Sequence, residues 1–289
     1  MSCIIATLAA SPFAMRHFLV KRSPTTFRDF EKEFLQYEKI IGVPIQPISG
    51  PDRFALAPAP VVGEKWKYMF LTPSFFQEGY TWAARDVPDA FYVREGQFSV
   101  TQAAKDQIVF LGGDDISKAC FPMGEEEFSP TDITLLFQNG QIYPAQEKGS
   151  TLSMVRETQL SRLLMLQDMP KEMKIGTRWK SQSGRIRPFH GYSSNYEILG
   201  FSEILNRRTV NVRFEGTIPN LAALQGKRPE KAGKNEVIRQ KHTGNAWFDL
   251  ESGLLVRQET RIQTESRNVL GLDHPVNIDA KFIVHLFKA

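Results

Sequence analysis

Two hydrophobic periodicities divide the chain. Between residues 23 and 44, Phe27, Phe30, Phe34, Tyr37 and Ile41 recur at spacings of three or four, with charged residues between them. That spacing predicts one amphipathic helix of about four turns. Ser23-Pro24-Thr25-Thr26 supplies a capping start, and Gly42 with Pro44 supplies a stop. An aromatic stripe of this kind is a surface for packing against a sheet.

Residues 43 to 62 are punctuated by Pro44, Pro47, Pro51, Pro58 and Pro60 and read as an extended connector. From Lys65 onward the period falls to two. Strands are predicted at 66–71, 80–82, 91–93, 98–100 and 108–111, with turns at Gly96 and Gly112-Gly113. Asn139-Gly140, between the apolar runs 133–137 and 141–143, is a hairpin signal. Residues 159–169 fit a short helix or a strand equally. Further strands follow at 196–199, 209–214, 245–250, 254–264 and 278–287, and a basic loop spans 225–234. In 209–214 the alternation is clean: Val210, Val212 and Phe214 share one face.

One short pattern occurs twice. Gly63-Glu64-Lys65-Trp66-Lys67 is echoed by Gly176-Thr177-Arg178-Trp179-Lys180, each copy after an apolar, proline-marked approach. A third landmark, Trp247-Phe248-Asp249 followed by Gly253-Leu254-Leu255-Val256, closes the second copy. The expected fold is therefore mainly β with one N-terminal amphipathic helix (α+β): a curved antiparallel sheet or half-barrel, built twice. The expected divisions are residues 1–22 as a targeting segment or N-terminal arm, 23–160 as a first β-rich unit carrying the helix, and 161–289 as a second.

These landmarks resemble those of uncharacterised exported bacterial β-rich proteins and lipoproteins whose fold is similar to the lipoprotein-carrier half-barrel class. The matching positions are Gly63, Trp66 and Tyr68, then Gly176 and Trp179, then Trp247, Phe248, Asp249, Gly253 and Val256. The resemblance spans about residues 50 to 265 and implies a fold and export, with no chemistry to transfer. The chain departs from it in having no lipobox cysteine and no ordinary signal peptide.

Composition narrows the function classes. With 42% apolar and 24% charged residues the chain is globular, and 21 Phe, 7 Tyr and 4 Trp favour strands. The net charge of +4 sits entirely in residues 1–28, which carry Arg16, Lys21, Arg22 and Arg28 and no acidic residue. The remainder is neutral, so the body as a whole has no electrostatic pull toward nucleic acid or an anionic membrane. Residues 3–15 form an apolar run, too short to span a bilayer, with Ala9-Ala10-Ser11 as a cleavage-like site. The expected location is the periplasm, cell envelope or another exported compartment, with organelle targeting as the other option. No transmembrane span is expected.

Catalytic constellations are missing. Gly191-Tyr192-Ser193-Ser194-Asn195 lacks the second glycine of a nucleophile elbow, no phosphate-cradling glycine loop occurs, and the five histidines are scattered singly. Cys3 and Cys120 cannot form a metal-binding CxxC pair, and Cys120 reads as a packing thiol. Asp114-Asp115 and Glu125-Glu126-Glu127 read as solvated loops. No catalytic residue, metal or cofactor is assigned.

The expected function is a non-enzymatic binding or carrier protein that holds an apolar ligand, a lipid, a lipidated partner or a peptide on a concave sheet face. Its candidate ligand-binding residues are Trp66, Tyr68, Trp82, Trp179, Phe189, Tyr192 and Trp247. The alternatives are a structural subunit that docks protein partners through sheet edges or the N-terminal arm, and an enzyme of unrecognised type.

Overall fold

A computed structural model describes residues 27–56, 61–74, 90–104, 107–121, 124–127, 132–138, 141–144, 168–183, 192–218, 237–267 and 276–287. The predicted helix is present as α1, Phe27–Ile41, and ends where Gly42 donates its N–H to the Glu38 carbonyl. Everything else described is strand or connection. The strands are β1 (Gln46–Ile48), β2 (Lys65–Ser74), β3 (Ala90–Ala104), β4 (Gln107–Phe121), β5 (Gly124–Glu127), β6 (Asp132–Gln138) and β7 (Gln141–Pro144). They continue as β8 (Arg178–Ser183), β9 (Tyr192–Ile204), β10 (Arg207–Ile218), β11 (Val237–Asp249), β12 (Leu255–Arg267) and β13 (Val276–Phe287).

All thirteen belong to one antiparallel sheet, ordered β1-β9-β10-β11-β12-β13-β2-β3-β4-β6-β7, with β8 added to β9 and β5 to β4. The two ends of that path, β1 and β7, are not paired with each other, so the sheet is an open one. It is also strongly curved. Strand β9 lies six steps from β3, which is about 29 Å in a flat sheet. Yet Ile198 of β9 and Phe98 of β3 share one buried cluster, with Val210, Val212, Phe248 and Leu255 between them in the order. Burial of this whole face, with the helix on the other side, fits a sheet that curves over its own inner face.

The alternation expected from the sequence decides which face each side chain takes. Trp66, Tyr68 and Phe70 of β2 point inward, whereas Met69 and Leu71 point outward, where α1 covers them. The helix delivers its stripe as predicted: Phe30, Phe34 and Tyr37 gather around Phe91 at ring separations of 5.1, 5.4 and 6.0 Å. Leu71, Val93 and Cys120 complete that outer core. Cys120 is buried, as its reading as a packing thiol requires.

Three local expectations are corrected. Residues 91–93 and 98–100 are one continuous strand, β3, and Gly96 lies within it. Gly112 and Gly113 likewise lie inside β4, and so do Asp114 and Asp115, which were expected in a loop. The glycines answer to close strand approach: a Cβ on Gly96 would sit 2.2 Å from the Gly113 carbonyl oxygen and 2.4 Å from the Tyr68 hydroxyl. Glu125 is in β5, also outside any loop. The Asn139-Gly140 turn itself lies outside the described residues, but Gln138 and Gln141 pair across it, as a hairpin requires. The strand expected at 80–82, most of 159–169 and the 225–234 loop also lie outside them.

Candidate functional site

The two Gly-x-x-Trp segments fold into the same turn. Gly63 has φ of +89° and Gly176 of +82°, a region that glycine enters without steric cost. Gly63 donates to the Val100 carbonyl and Val100 donates back to the Glu64 carbonyl; Gly176 and Ile198 do the same through Thr177. Each turn is also closed by a side chain at the same position. Glu64 Oε2 accepts from the Val61 N–H at 3.2 Å, and Thr177 Oγ1 accepts from the Lys174 N–H at 2.9 Å.

The tryptophans that follow have different surroundings. Trp66 is 2% exposed and lies in the inner core beside Tyr68, whose ring stacks on Phe98 at 4.7 Å. Trp179 is half-buried at the margin of that core and stacks on Tyr196 at 5.0 Å. Trp247 is buried on the opposite, outer face with Ile204, Val256, Val43 and Ile45. Three of the candidate ligand-binding residues, Trp66, Tyr68 and Trp179, therefore meet at one core, and Trp247 stands apart. Tyr192 begins β9, with its side chain outside the description, and Trp82 and Phe189 lie outside the described residues.

The closing motif is a hairpin with a second task. Asp249 buries its carboxylate at the β11–β12 turn, accepting from Arg207 Nη1 at 3.0 Å and from the Ser252 hydroxyl and N–H at 2.6 and 3.1 Å. Gly253, at φ +69°, lets the chain reverse. Arg257 ends the pattern Trp-Phe-Asp-x-x-x-Gly-Leu-Leu-Val-Arg, and the sequence reading gave it no role. Its Nη1 donates to the carbonyls of Ile41 and Val43 at 2.6 and 2.9 Å, satisfying the exposed end of α1. Its other nitrogens hold Glu259, and its guanidinium lies 6.0 Å from the Trp247 ring centroid. A buried arginine in the run Leu254-Leu255-Val256 was the available signal, since a charge in such a strand needs partners.

A polar cluster lies beneath the middle of α1. Lys118 Nζ donates to Glu33 Oε1 at 2.5 Å and to Glu125 Oε2 at 3.0 Å. Burial alone would depress the Lys118 pKa, but the hydrogen bonds it donates to Glu33 and Glu125 outweigh it and hold the ammonium above its ordinary range. Burial raises Tyr37 to about 12 and Cys120 to about 12, and it also raises Glu95, to which Tyr37 is hydrogen-bonded. Ligand atoms of Glu33, Cys120 and Glu125 lie within 4.8 Å of one another. Lys118 already supplies the positive charge those carboxylates need, and Cys120 is a thiol far from ionising. The cluster pins the helix to the sheet.

The remaining feature is a hollow of about 540 Å³, which the alternation of Lys65, Gln97 and Ser99 with the inward Trp66, Phe98 and Val100 places on the outward side of β2–β4. Lys65, Gln97, Ser99, Leu111 and Asp115 wall it, with Gly112, Gly113 and the inner-core residue Phe98 completing the lining. Register shifts in the β3–β4 pairing flank it at Glu95/Gly96 and at Val100/Gln102. Bulges of this kind turn side chains and free backbone groups from the ladder. Leu111, 48% exposed, gives the wall an apolar patch among polar neighbours. Asp249 and His242 are separated by seven residues of one strand, about 23 Å.

Among the described residues, no helix is long and apolar enough to cross a membrane, a statement about helices alone. No protein-family model matches the chain, and no curated protein matches it. Among solved structures, it is similar to a protein from Bacteroides fragilis described as exported and having a YmcC-like fold. The two share 10% identity over 81% of this chain and 100% of that one, with a TM-score of 0.30. A likeness that faint carries no functional argument.

Proposed function

We propose that the chain is a non-enzymatic, β-rich binding protein that takes its ligand in the outer hollow of β2–β4. The contrast between the two faces carries this reading. The inner face is filled by its own side chains, so a ligand there would have to displace Trp66 and Tyr68. The hollow is open and offers an apolar patch at Leu111 beside the hydrogen-bonding groups of Lys65, Gln97, Ser99 and Asp115. That mixture suits a peptide segment or small molecule with one apolar group and a polar edge. The same reading takes the two Gly-x-x-Trp turns as copies of one strand-entry unit.

Native mass spectrometry of protein purified gently from its own host tests the site. A bound adduct in the wild type should disappear in Ser99→Trp and in Leu111→Arg, with thermal midpoints little changed. An adduct that persists in both folded variants, or a wild type free of any adduct, would overturn the assignment.

A second reading, docking into a larger assembly, is favoured by one observation. Val62 and Ile175, the residues just before the two turn glycines, are 55% and 57% exposed. Paired apolar tips of this kind are contact points for a protein partner. Sedimentation velocity of the host complex with Val62→Asp and Ile175→Asp distinguishes the two: assembly docking predicts its dissociation, and ligand binding in the hollow predicts no change.

A further inference from the structure

The outward side of α1 is a stripe that the fold leaves uncovered. Phe30, Phe34 and Ile41 are buried against the sheet and Tyr37 is half-buried there. On the opposite side Lys32, Leu35, Gln36, Lys39 and Ile40 are all exposed, at the spacings of a single helical face. Leu35 is 53% and Ile40 43% exposed, two large aliphatic side chains facing water on one short helix. The helix's other exposed charge described is Asp29, in the first turn, where it complements the dipole. Glu33 is turned inward to Lys118, and Glu31 and Glu38 are half-buried.

We infer that this stripe docks on an anionic lipid surface. Leu35 and Ile40 would enter the headgroup–acyl boundary while Lys32 and Lys39 pair with acidic headgroups. Charge placement along the chain supports that partner. The segment that leads directly into α1, residues 1–28, holds the chain's whole net charge of +4 and no acidic residue. The exposed charges on this side of the helix, Lys32 and Lys39 against Asp29, leave a net +1 that follows the +4 of the preceding segment, a succession that matches a negative plane and would repel a basic partner. A protein partner with an acidic groove is the competing occupant. The proposal is independent of the hollow, whose lining residues belong to the sheet.

Co-sedimentation of the full chain with vesicles tests it, comparing phosphatidylcholine alone with phosphatidylcholine containing phosphatidylserine. The wild type should sediment with the anionic vesicles and remain in solution with the neutral ones, and added salt should release it. Lys32→Glu/Lys39→Glu should lower the partition coefficient at least about tenfold, since each charge near such a surface contributes about fivefold. Leu35→Gln/Ile40→Gln should lower it as well while leaving the thermal midpoint unchanged, because neither side chain packs on the sheet. A wild type that stays soluble with both vesicles overturns the inference and leaves the stripe to a protein. Undiminished binding by both variants also overturns it and assigns the contact to residues before the helix.

Discussion

At Gly63 and at Gly176 the backbone follows the same path, with the same three hydrogen bonds and a side-chain cap at the same position. Three residues later the copies part company. The first buries its tryptophan in the inner core, and the second leaves its tryptophan half-exposed against Tyr196, with the Arg178–Glu197–Arg213 ion pairs on the other side of the same strands. The difference teaches that Gly-x-x-Trp specifies a turn and the first residues of a strand. What the tryptophan contributes afterwards depends on how far the sheet curls over it, and that is set by residues elsewhere.

Mutation can pull these two contributions apart. The largest contrast should come from the tryptophans. Trp66→Ala empties a buried site and should cost about 3–5 kcal/mol, against about 1–2 kcal/mol for Trp179→Ala, read from urea denaturation. Equal losses would mean that the curl buries both alike. The glycines should behave in the opposite way. Gly63→Ala and Gly176→Ala should each cost about 1–2 kcal/mol, because both carry positive φ with open space around the missing Cβ. Unequal losses would show that the turns only look alike.

Smaller effects test the caps and the charges. Thr177→Ala should cost about 0.5–1 kcal/mol, more than Glu64→Ala, whose acceptor is longer in reach and solvent-facing. The last contrast is one of pH. A hydrogen bond from Arg178, with the nearby Arg213, holds the Glu197 carboxyl below its ordinary value. A lowered folded-state pKa means that its stabilisation is complete above the ordinary carboxylate range and is lost as pH falls through the folded value. Glu197→Gln should therefore flatten the part of the thermal midpoint's acid limb that lies below the ordinary carboxylate range. The first copy has Ser99 opposite Lys65 where the second sets Glu197 opposite Arg178, so it offers no matching carboxylate to remove.

Much of this architecture was legible because it is local. The helix announced itself by Phe30, Phe34 and Ile41 at helical spacing with Gly42 at its end, and β10 by the alternation of Val210, Val212 and Phe214. Glycine misled at Gly96 and at Gly112-Gly113, because it serves two needs, positive φ and the absence of a Cβ, and a sequence does not say which. The long-range contacts had no local signature. Lys118 meets Glu33 across 85 positions, and Arg257 reaches the Ile41 carbonyl across 216. The hollow was invisible for a similar reason: it arises where two bulges offset neighbouring strands, and a bulge costs one residue of register without altering composition. The aromatic positions chosen for a ligand were chosen for size, and size is what a core selects too.

The pairing of β13 with β2 sets a schedule for synthesis. Strand β2 ends at Ser74, and its neighbour begins only at Val276. At roughly 5–20 residues per second, one edge of β2 waits on the order of ten to forty seconds for its partner to be made. During that interval the backbone groups of Lys65 to Leu71 that β13 will occupy are a free template, and the arginine that seats the end of α1 is also unmade. The nascent chain thus spends most of its translation with an uncompleted sheet. Its need for protection by chaperones should fall away only after the final strands leave the ribosome.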